Sequence, residues 1–270
     1  MNNDYLITSI CFGNKYIPIL ENWREQISKK CNVSPYILII NNLNIKKIVN
    51  DLDLNILNLN NYAWWDIIRL KNNLKLIELY NKPIVHIDLD IIIEKDIKNI
   101  INLPYDIIIS KEIGEDNAYP QEYSKKIGFG ICSGFYSLKP ESQYFMNNIL
   151  KKMEEGDNYS DQYNMMKYLS ENYNKRISYE KIILDNKEYT NIIITIDTIK
   201  ICVLDFNIIT RDPIINNNQF GNHINIDNVG GTKNFLRYFN EDLEKLPLTC
   251  RCGKTHLNDY NICTHVKARK

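Results

Sequence analysis

Short apolar runs rich in β-branched residues alternate with longer segments of helical period through the first half of the chain. This alternation is typical of βαβ units, in which helices cover a mainly parallel sheet. The pattern therefore predicts an α/β fold. The predicted strands are Leu6–Phe12, Tyr36–Ile40, Ile84–Ile87, Ile91–Ile93, Asp106–Ser110 and Ile131–Leu138, and the predicted helices are Ile17–Lys29, Ile45–Asn50, Trp64–Tyr80, Glu141–Glu155 and Ser160–Glu171.

The periodicity is weaker in the last third of the chain. Short strands are predicted near Ile182, at Ile192–Ile196 and at Ile201–Leu204, and a helix at Thr232–Phe239. Two polar, turn-rich stretches, Gly114–Gly128 and Asn216–Gly231, are predicted to be loops, and loops of this length often cover a site.

At 270 residues, the chain is within the range of a single α/β domain. We predict one domain over residues 1–247 and a separate Cys/His-rich basic tail over 248–270. Lysine plus arginine equals aspartate plus glutamate, 33 each, so the overall charge predicts neither nucleic acid nor an anionic membrane as a partner.

Cysteine usage and the N-terminus bear on the compartment. The seven cysteines form no regular framework before the tail, which favours a reducing environment. The N-terminus makes a poor signal peptide, and no apolar run reaches the length of a membrane span. A cytoplasmic location is therefore expected.

Two aspartates follow a predicted buried strand in Ile84-Val85-His86-Ile87-Asp88-Leu89-Asp90. In α/β sheets ligands bind at the carboxyl ends of strands, so Asp88 and Asp90 are placed where a ligand would bind. Carboxylate oxygens suit Mn²⁺ or Mg²⁺. A bound dication would stabilise the negative charge on a departing diphosphate. The alternative is a strand-end turn with two solvated acids.

Further segments, in order, give the chain a resemblance to the GT-A nucleotide-diphospho-sugar transferases, including the glycogenin-like branch and related plant and protist enzymes. The resemblance runs from about Leu6 to Leu243. It rests on Thr8–Tyr16, on Arg69 and Lys71, on Asp88-Leu89-Asp90, on Cys132–Tyr136, on Ser160-Asp161-Gln162 and on Gly221–Asn225 with Gly230, Gly231 and Lys233. Cys132 stands where asparagine is usual in that family.

The resemblance implies a three-layer GT-A (Rossmann-like) fold and a role for each matching residue. It implies Asp161 and Gln162 as catalytic residues that orient the sugar, and Asp88, Asp90 and His223 as metal ligands. The donor-binding residues that it implies are Thr8, Ser9, Cys11, Tyr16, Arg69, Lys71, Asp88, Leu89, Ser133, Gly134, Gly230, Gly231 and Lys233.

The function implied by the resemblance is metal-dependent transfer of a sugar, with retention, from a nucleotide donor such as a UDP-sugar to a glycan or protein acceptor. A haloacid-dehalogenase-like phosphatase also has an Asp-x-Asp after a strand, but on its first strand. A nucleotidyltransferase would need a glycine-rich basic N-terminal loop, and Gly13 stands alone there. An inactive module that binds a sugar nucleotide or glycan is a further alternative.

The tail contains five potential soft metal ligands within sixteen residues: Cys250, Cys252, His256, Cys263 and His265. Structural Zn²⁺ sites use four ligands of these types. A zinc knuckle is therefore one hypothesis, and a frayed basic tail is the other.

Overall fold

The computed structural model describes residues 4–12, 16–41, 44–48, 65–112, 118–156, 158–172, 177–211, 219–224, 248–249 and 255–256. The strands in the first half are β1 Leu6–Phe12, β2 Tyr36–Asn41, β3 Asn44–Ile48, β4 Ile84–Ile87, β5 Ile91–Ile93, β6 Ile107–Lys111 and β7 Ile131–Leu138. Those in the second half are β8 Ile177–Leu184, β9 Lys187–Ile196, β10 Ile199–Val203, β11 Ile209–Arg211, β12 Gly221–His223, β13 Leu248–Thr249 and β14 Thr255–His256. The helices are α1 Ile17–Cys31, α2 Trp65–Tyr80, α3 Lys98–Ile101, α4 Gln121–Ile127, α5 Gln143–Glu155 and α6 Asp161–Asn172, with a 3₁₀ turn at Pro140–Ser142.

Nine strands form the central sheet in the order β3-β2-β1-β4-β7-β6-β10-β9-β8. Strands β3, β7 and β9 run against the other six, as the pairing of neighbours requires. The carboxyl ends of β1, β2 and β4 therefore meet at one edge of the sheet. The prediction of an α/β fold with a mainly parallel sheet is confirmed.

Each face of the sheet packs against its own hydrophobic layer. On β1, Ile7 and Cys11 face α1, whose Trp23 is fully buried, while Leu6 faces the layer built from α2, α5 and α6. This alternation follows from the two-residue period of a strand. Polar side chains on the α2 face of the sheet are therefore brought against helix α2.

A second, small sheet lies beside the large one, in the order β11-β12-β5. Strand β5 follows directly on the Asp88–Asp90 turn and pairs antiparallel with β12, so that His223 lies opposite Ile91. This pairing brings a segment from the last quarter of the chain to the end of β4.

Two of the predicted elements in this part of the chain are wrong. The segment predicted as a helix, Ile45–Asn50, instead contributes β3, which pairs antiparallel with β2, because hairpin pairing overrides the helical spacing of its isoleucines. The predicted loop Gly114–Gly128 contains helix α4, which ends at Gly128 in the left-handed conformation (φ 82°). The strand predicted near Ile182 is confirmed, and it is one arm of a long hairpin, β8 and β9, which turns at Asp185 and Asn186 with φ of 49° and 62°.

Within the predicted loop Asn216–Gly231, residues 221–223 form strand β12. The predicted helix at Thr232–Phe239 lies outside the described residues. In the tail, β13 and β14 pair antiparallel, and the division of the chain at residue 247 stays a prediction. Among the helices in the described ranges, none has the length and apolarity needed to cross a membrane.

Candidate metal centre and adjoining cavity

The two aspartates of the Asp-x-Asp motif lie at the carboxyl end of β4. The backbone of Asp88 continues the β4–β7 pairing, because its N–H donates to the carbonyl of Gly134 at 2.8 Å. The chain then turns through Leu89, whose side chain is buried in the core, and presents Asp90 before β5 begins. Both carboxylates therefore emerge from a tightly held turn.

His223 reaches this turn through the small sheet. The N–H of Ile224 donates to the carbonyl of Asp90 at 2.8 Å, and His223 Nε2 lies 3.2 Å from Asp90 Oδ1. One ligand atom from each of Asp88, Asp90 and His223 lies within 4.8 Å of the others. The three residues predicted as metal ligands thus converge, although His223 is far from the aspartates in sequence.

These residues fit a divalent cation. Two carboxylates and one imidazole are a donor set that suits Mn²⁺ or Mg²⁺ with open positions left for a substrate. A Cβ built at Gly134 would lie 2.9 Å from both Asp88 Oδ2 and His223 Cε1. Burial lowers the pKa of His223, but the Asp90 carboxylate raises it well above its ordinary value. The site therefore already favours positive charge.

The cluster opens into a polar cavity of about 570 Å³. That volume is within the range of small-molecule binding sites. The start of α2, the end of β4, the start of β7 and the segment entering α6 together form its wall. The lining residues are Trp65, Asp66, Arg69, Asp88, Asp90, Cys132, Ser133, Gly134, Asn158, Tyr159, Ser160, Gln162 and His223.

Arg69 joins three of these elements from a position with only 2% exposure. Its Nη1 donates to Asp88 Oδ1 at 3.2 Å, and its Nε and Nη2 donate to Asp161 Oδ2 at 3.1 and 2.5 Å. The Nη2 also lies 2.8 Å from Asp66 Oδ1 and 3.3 Å from Ser133 Oγ. Arg69 therefore connects the Asp88–Asp90 turn to α6, to β7 and to its own helix, α2.

The acids around Arg69 differ in their environments. Burial raises the pKa of Asp66 to about 7, against the opposing effect of Arg69. Asp161 has no exposure and lies behind the cavity wall, with its carboxylate engaged by Arg69 and by the N–H of Gln162 at 2.6 Å. Direct contact between Asp161 and a bound sugar would require this ion pair to rearrange.

His86 contacts the Asp88–Asp90 turn and was not among the predicted site residues. Its ring is fully buried, stacks on Tyr136 and places Nε2 2.9 Å from Asp88 Oδ1. Burial lowers the pKa of His86, so a neutral ring donates its Nε2–H to Asp88. Although burial alone would raise the pKa of Asp88, this hydrogen bond and the charge of Arg69 hold it well below its ordinary value.

Simple spacing could have revealed these neighbours. Strand residues two apart share a face, which places His86 beside Asp88. Asp66, Arg69 and Asn73 recur three and four apart on α2, so they form a polar stripe on the buried side of the helix. Asn73 accepts a hydrogen bond from Thr8 at 2.9 Å and donates to Tyr136 at 2.8 Å.

The side-chain amide of Gln162 lies on the cavity wall. Its Oε1 accepts a hydrogen bond from the backbone N–H of Ser133 at 3.3 Å, and its Nε2 donates to the carbonyl of Tyr119 at 2.7 Å. Gln162 thus connects α6 to the start of β7 and to the segment before α4. Of the two residues predicted as catalytic, Gln162 lines the cavity and Asp161 lies beneath it.

Several predicted donor-binding residues lie off the cavity wall. Thr8, Ser9, Cys11 and Leu89 are buried, and Cys11, Leu89 and the partly buried Tyr16 pack in the α1-side core. Lys71 forms an ion pair with Glu154 of α5. Arg69, Asp88, Ser133 and Gly134 do line the cavity.

The remaining predicted site residues fall where the structure is not described. Gly230, Gly231 and Lys233, and the candidate zinc ligands Cys250, Cys252, Cys263 and His265, lie outside the described residues. His256 lies in β14, of which only the backbone pairing is described. Their roles stay predictions.

The α/β fold, with a mainly parallel central sheet between helical layers, is the GT-A fold, as predicted. No family model matches the chain, and no curated protein matches it.

Among solved structures, the chain is similar to a glycosyltransferase involved in the glycosylation of the major capsid of PBCV-1, at a TM-score of 0.52 and 11% identity over 87% of this chain and 98% of that one. It is also similar to the galactosyltransferase LgtC in complex with donor and acceptor sugar analogs (TM-score 0.46, 10% identity, 86% of this chain and 95% of that one). A third similar structure is the apo-form glycosyltransferase GlyE of Streptococcus pneumoniae TIGR4 (TM-score 0.39, 11% identity, 63% of this chain and 44% of that one). At these identities the likeness concerns the fold alone.

Proposed function

We propose that this protein is a metal-dependent glycosyltransferase that moves a sugar from a nucleoside-diphosphate donor, a UDP-sugar, to a glycan or protein acceptor. The observation that carries the proposal is the convergence of Asp88, Asp90 and His223 on the rim of a cavity of about 570 Å³. The GT-A fold supports it, since ligands of open α/β sheets bind at this edge.

Asp88, Asp90 and His223 would hold Mn²⁺ or Mg²⁺. When bound, the cation supplies positive charge that stabilises the departing diphosphate. Arg69 and His86 fix the orientation of Asp88 through its Oδ1, so that Oδ2 stays available on the Gly134 side. The missing side chain of Gly134 keeps this space open.

Retention of the anomeric configuration is part of the proposal. An inverting route needs a carboxylate base facing the sugar. The carboxylates among the described lining residues are Asp66, Asp88 and Asp90; the first pairs with Arg69 and the other two belong to the metal cluster. This supports retention, which the anomeric proton coupling of the product, measured by NMR at early times, would test.

The central test is Asp90→Asn. We expect wild-type protein with Mn²⁺ to release UDP from at least one UDP-sugar, and the variant to lose more than about tenfold of this rate because a charged ligand is gone. The matched control is Asp96→Asn, an exposed aspartate whose Oδ1 accepts a hydrogen bond from the N–H of Lys98. Turnover by Asp90→Asn at the wild-type rate would rule out the assignment.

Binding can be tested without an acceptor. A UDP-sugar that binds only the native state stabilises it by about 2.7 kcal/mol at one hundred times its dissociation constant. We expect this rise in melting temperature with Mn²⁺ present and its loss with EDTA. A shift of equal size with EDTA would contradict the metal-bridged mode of binding.

A further inference from the structure

Cys132 lies where the metal cluster meets the cavity wall. It is the second residue of β7, has 4% exposure, and lines the cavity beside Ser133 and Gly134. Its Sγ lies 3.4 Å from Nδ1 of His223. The other ring nitrogen of His223, Nε2, lies 3.2 Å from Asp90 Oδ1. The two nitrogens of the ring therefore face different partners.

This arrangement determines which nitrogen can bind a cation. The Nε2 lies on the side of Asp90, where two ligands of one ion would meet. A neutral imidazole has one N–H and one lone pair, so binding through Nε2 leaves the proton on Nδ1. That proton points at the sulfur of Cys132, which is the acceptor of the hydrogen bond.

We propose that Cys132 is a positioning residue, which holds the ring of His223 so that Nε2 faces the cation. The inference rests on the metal site of the proposed function. Second-sphere acceptors of this kind fix the tautomer and orientation of ligating histidines. The thiol acts through His223 and does not itself bind the ion.

Two observations support a positioning role over a ligand role. The cluster whose ligand atoms lie within 4.8 Å of one another contains Asp88, Asp90 and His223, without Cys132. The backbone of His223 is already held by the pairing of β12 with β5, and its Cε1 lies against Gly134. What remains to be fixed is the rotation of the ring, and the contact at Nδ1 restrains that rotation.

The test is the Mn²⁺ affinity of Cys132→Ala and Cys132→Asn, measured by EPR titration of free Mn²⁺ against the full chain. We expect Cys132→Ala to bind about 10- to 100-fold more weakly than wild type, because the acceptor at Nδ1 is lost. Cys132→Asn should bind within about threefold of wild type, because its carboxamide oxygen can accept the same proton.

The same variants should separate in kinetics. For Cys132→Ala we expect the Mn²⁺ concentration for half-maximal turnover to rise while the rate at saturating Mn²⁺ changes little. The matched control is Cys202→Ala, which truncates another buried thiol, on β10 and outside the cavity lining. It should bind Mn²⁺ as wild type does, and circular dichroism should show all variants folded.

The outcomes are distinguishable. If wild type binds no Mn²⁺, both the metal site and the role of Cys132 are overturned. If wild type binds and Cys132→Ala binds equally well, the positioning role is overturned while the metal site stands. If Cys132→Asn folds but binds Mn²⁺ as weakly as Cys132→Ala does, residue 132 does not act through a hydrogen bond to His223, and the inference also fails.

Discussion

Arg69→Met should show how strongly the site depends on one buried cation. The substitution keeps most of the buried stem but removes the guanidinium that contacts Asp66, Asp88 and Asp161. The carboxyls of Asp66 and Asp161 would remain in the interior without a counter-charge. Removing one partner of a buried ion pair typically costs about 3–5 kcal/mol. We expect a loss of that size, which is a large fraction of the stability of an ordinary domain.

The assay is urea unfolding followed by far-UV circular dichroism at pH 8 and pH 5. Without Arg69 the pKa of Asp66, already about 7, rises further. A carboxyl whose folded pKa is raised stabilises the folded state as the pH falls, because the folded state then binds the proton more tightly. The difference between wild type and variant should therefore be smaller at pH 5 than at pH 8.

Lys71→Met is the matched control on the same helix. Lys71 pairs with Glu154 where both side chains are partly exposed, so its loss should change the unfolding free energy by about 0–1 kcal/mol. If Arg69→Met unfolds at the wild-type urea midpoint, or if its deficit is the same at both pH values, charge compensation is not what Arg69 provides.

Two further variants test neighbouring parts of the site. In Gly134→Ala the added Cβ would lie 2.9 Å from Asp88 Oδ2 and His223 Cε1. We therefore expect a folded protein whose Mn²⁺ binding, measured by EPR, is at least about tenfold weaker. Unchanged affinity would show that the space between these two side chains can accept a methyl group. The substitution Asp66→Asn removes the carboxyl whose pKa is raised to about 7. The unfolding free energy of wild type, taken relative to this variant, should therefore fall as the pH rises from about 4.5 to about 7.5 and stay constant above that. Parallel pH profiles in urea unfolding would contradict the burial of an ionisable Asp66.

Two of the three candidate metal ligands could be placed from the sequence pattern itself. Asp88 and Asp90 follow a strand that is buried along its whole length, which places them at the ligand-binding edge of an α/β sheet. His223 could be chosen only through the resemblance, because its approach depends on the pairing of two three-residue strands, β5 and β12. Such short strands carry no periodicity of their own.

The contacts that Arg69 makes could not be predicted from the sequence. The resemblance implies contact with the donor, and the structure shows in addition that Arg69 connects Asp88 and Asp161, residues on elements distant in sequence. The error at Ile45–Asn50 has a local cause, since its spacing fits a helix and pairing with the preceding strand β2 makes it a strand. His86 was within reach, because residues two apart on a strand share a face.

If the protein binds a nucleotide through a metal ion, as proposed, the charges around the cavity favour one order of binding. The described lining residues include three carboxyls, Asp66, Asp88 and Asp90, and a single permanently charged cation, Arg69, which already pairs with Asp66 and Asp88. An anionic nucleotide approaching alone would meet repulsion at the entrance, and a dication would be drawn in. We therefore expect the proposed cation to bind before the nucleotide or together with it.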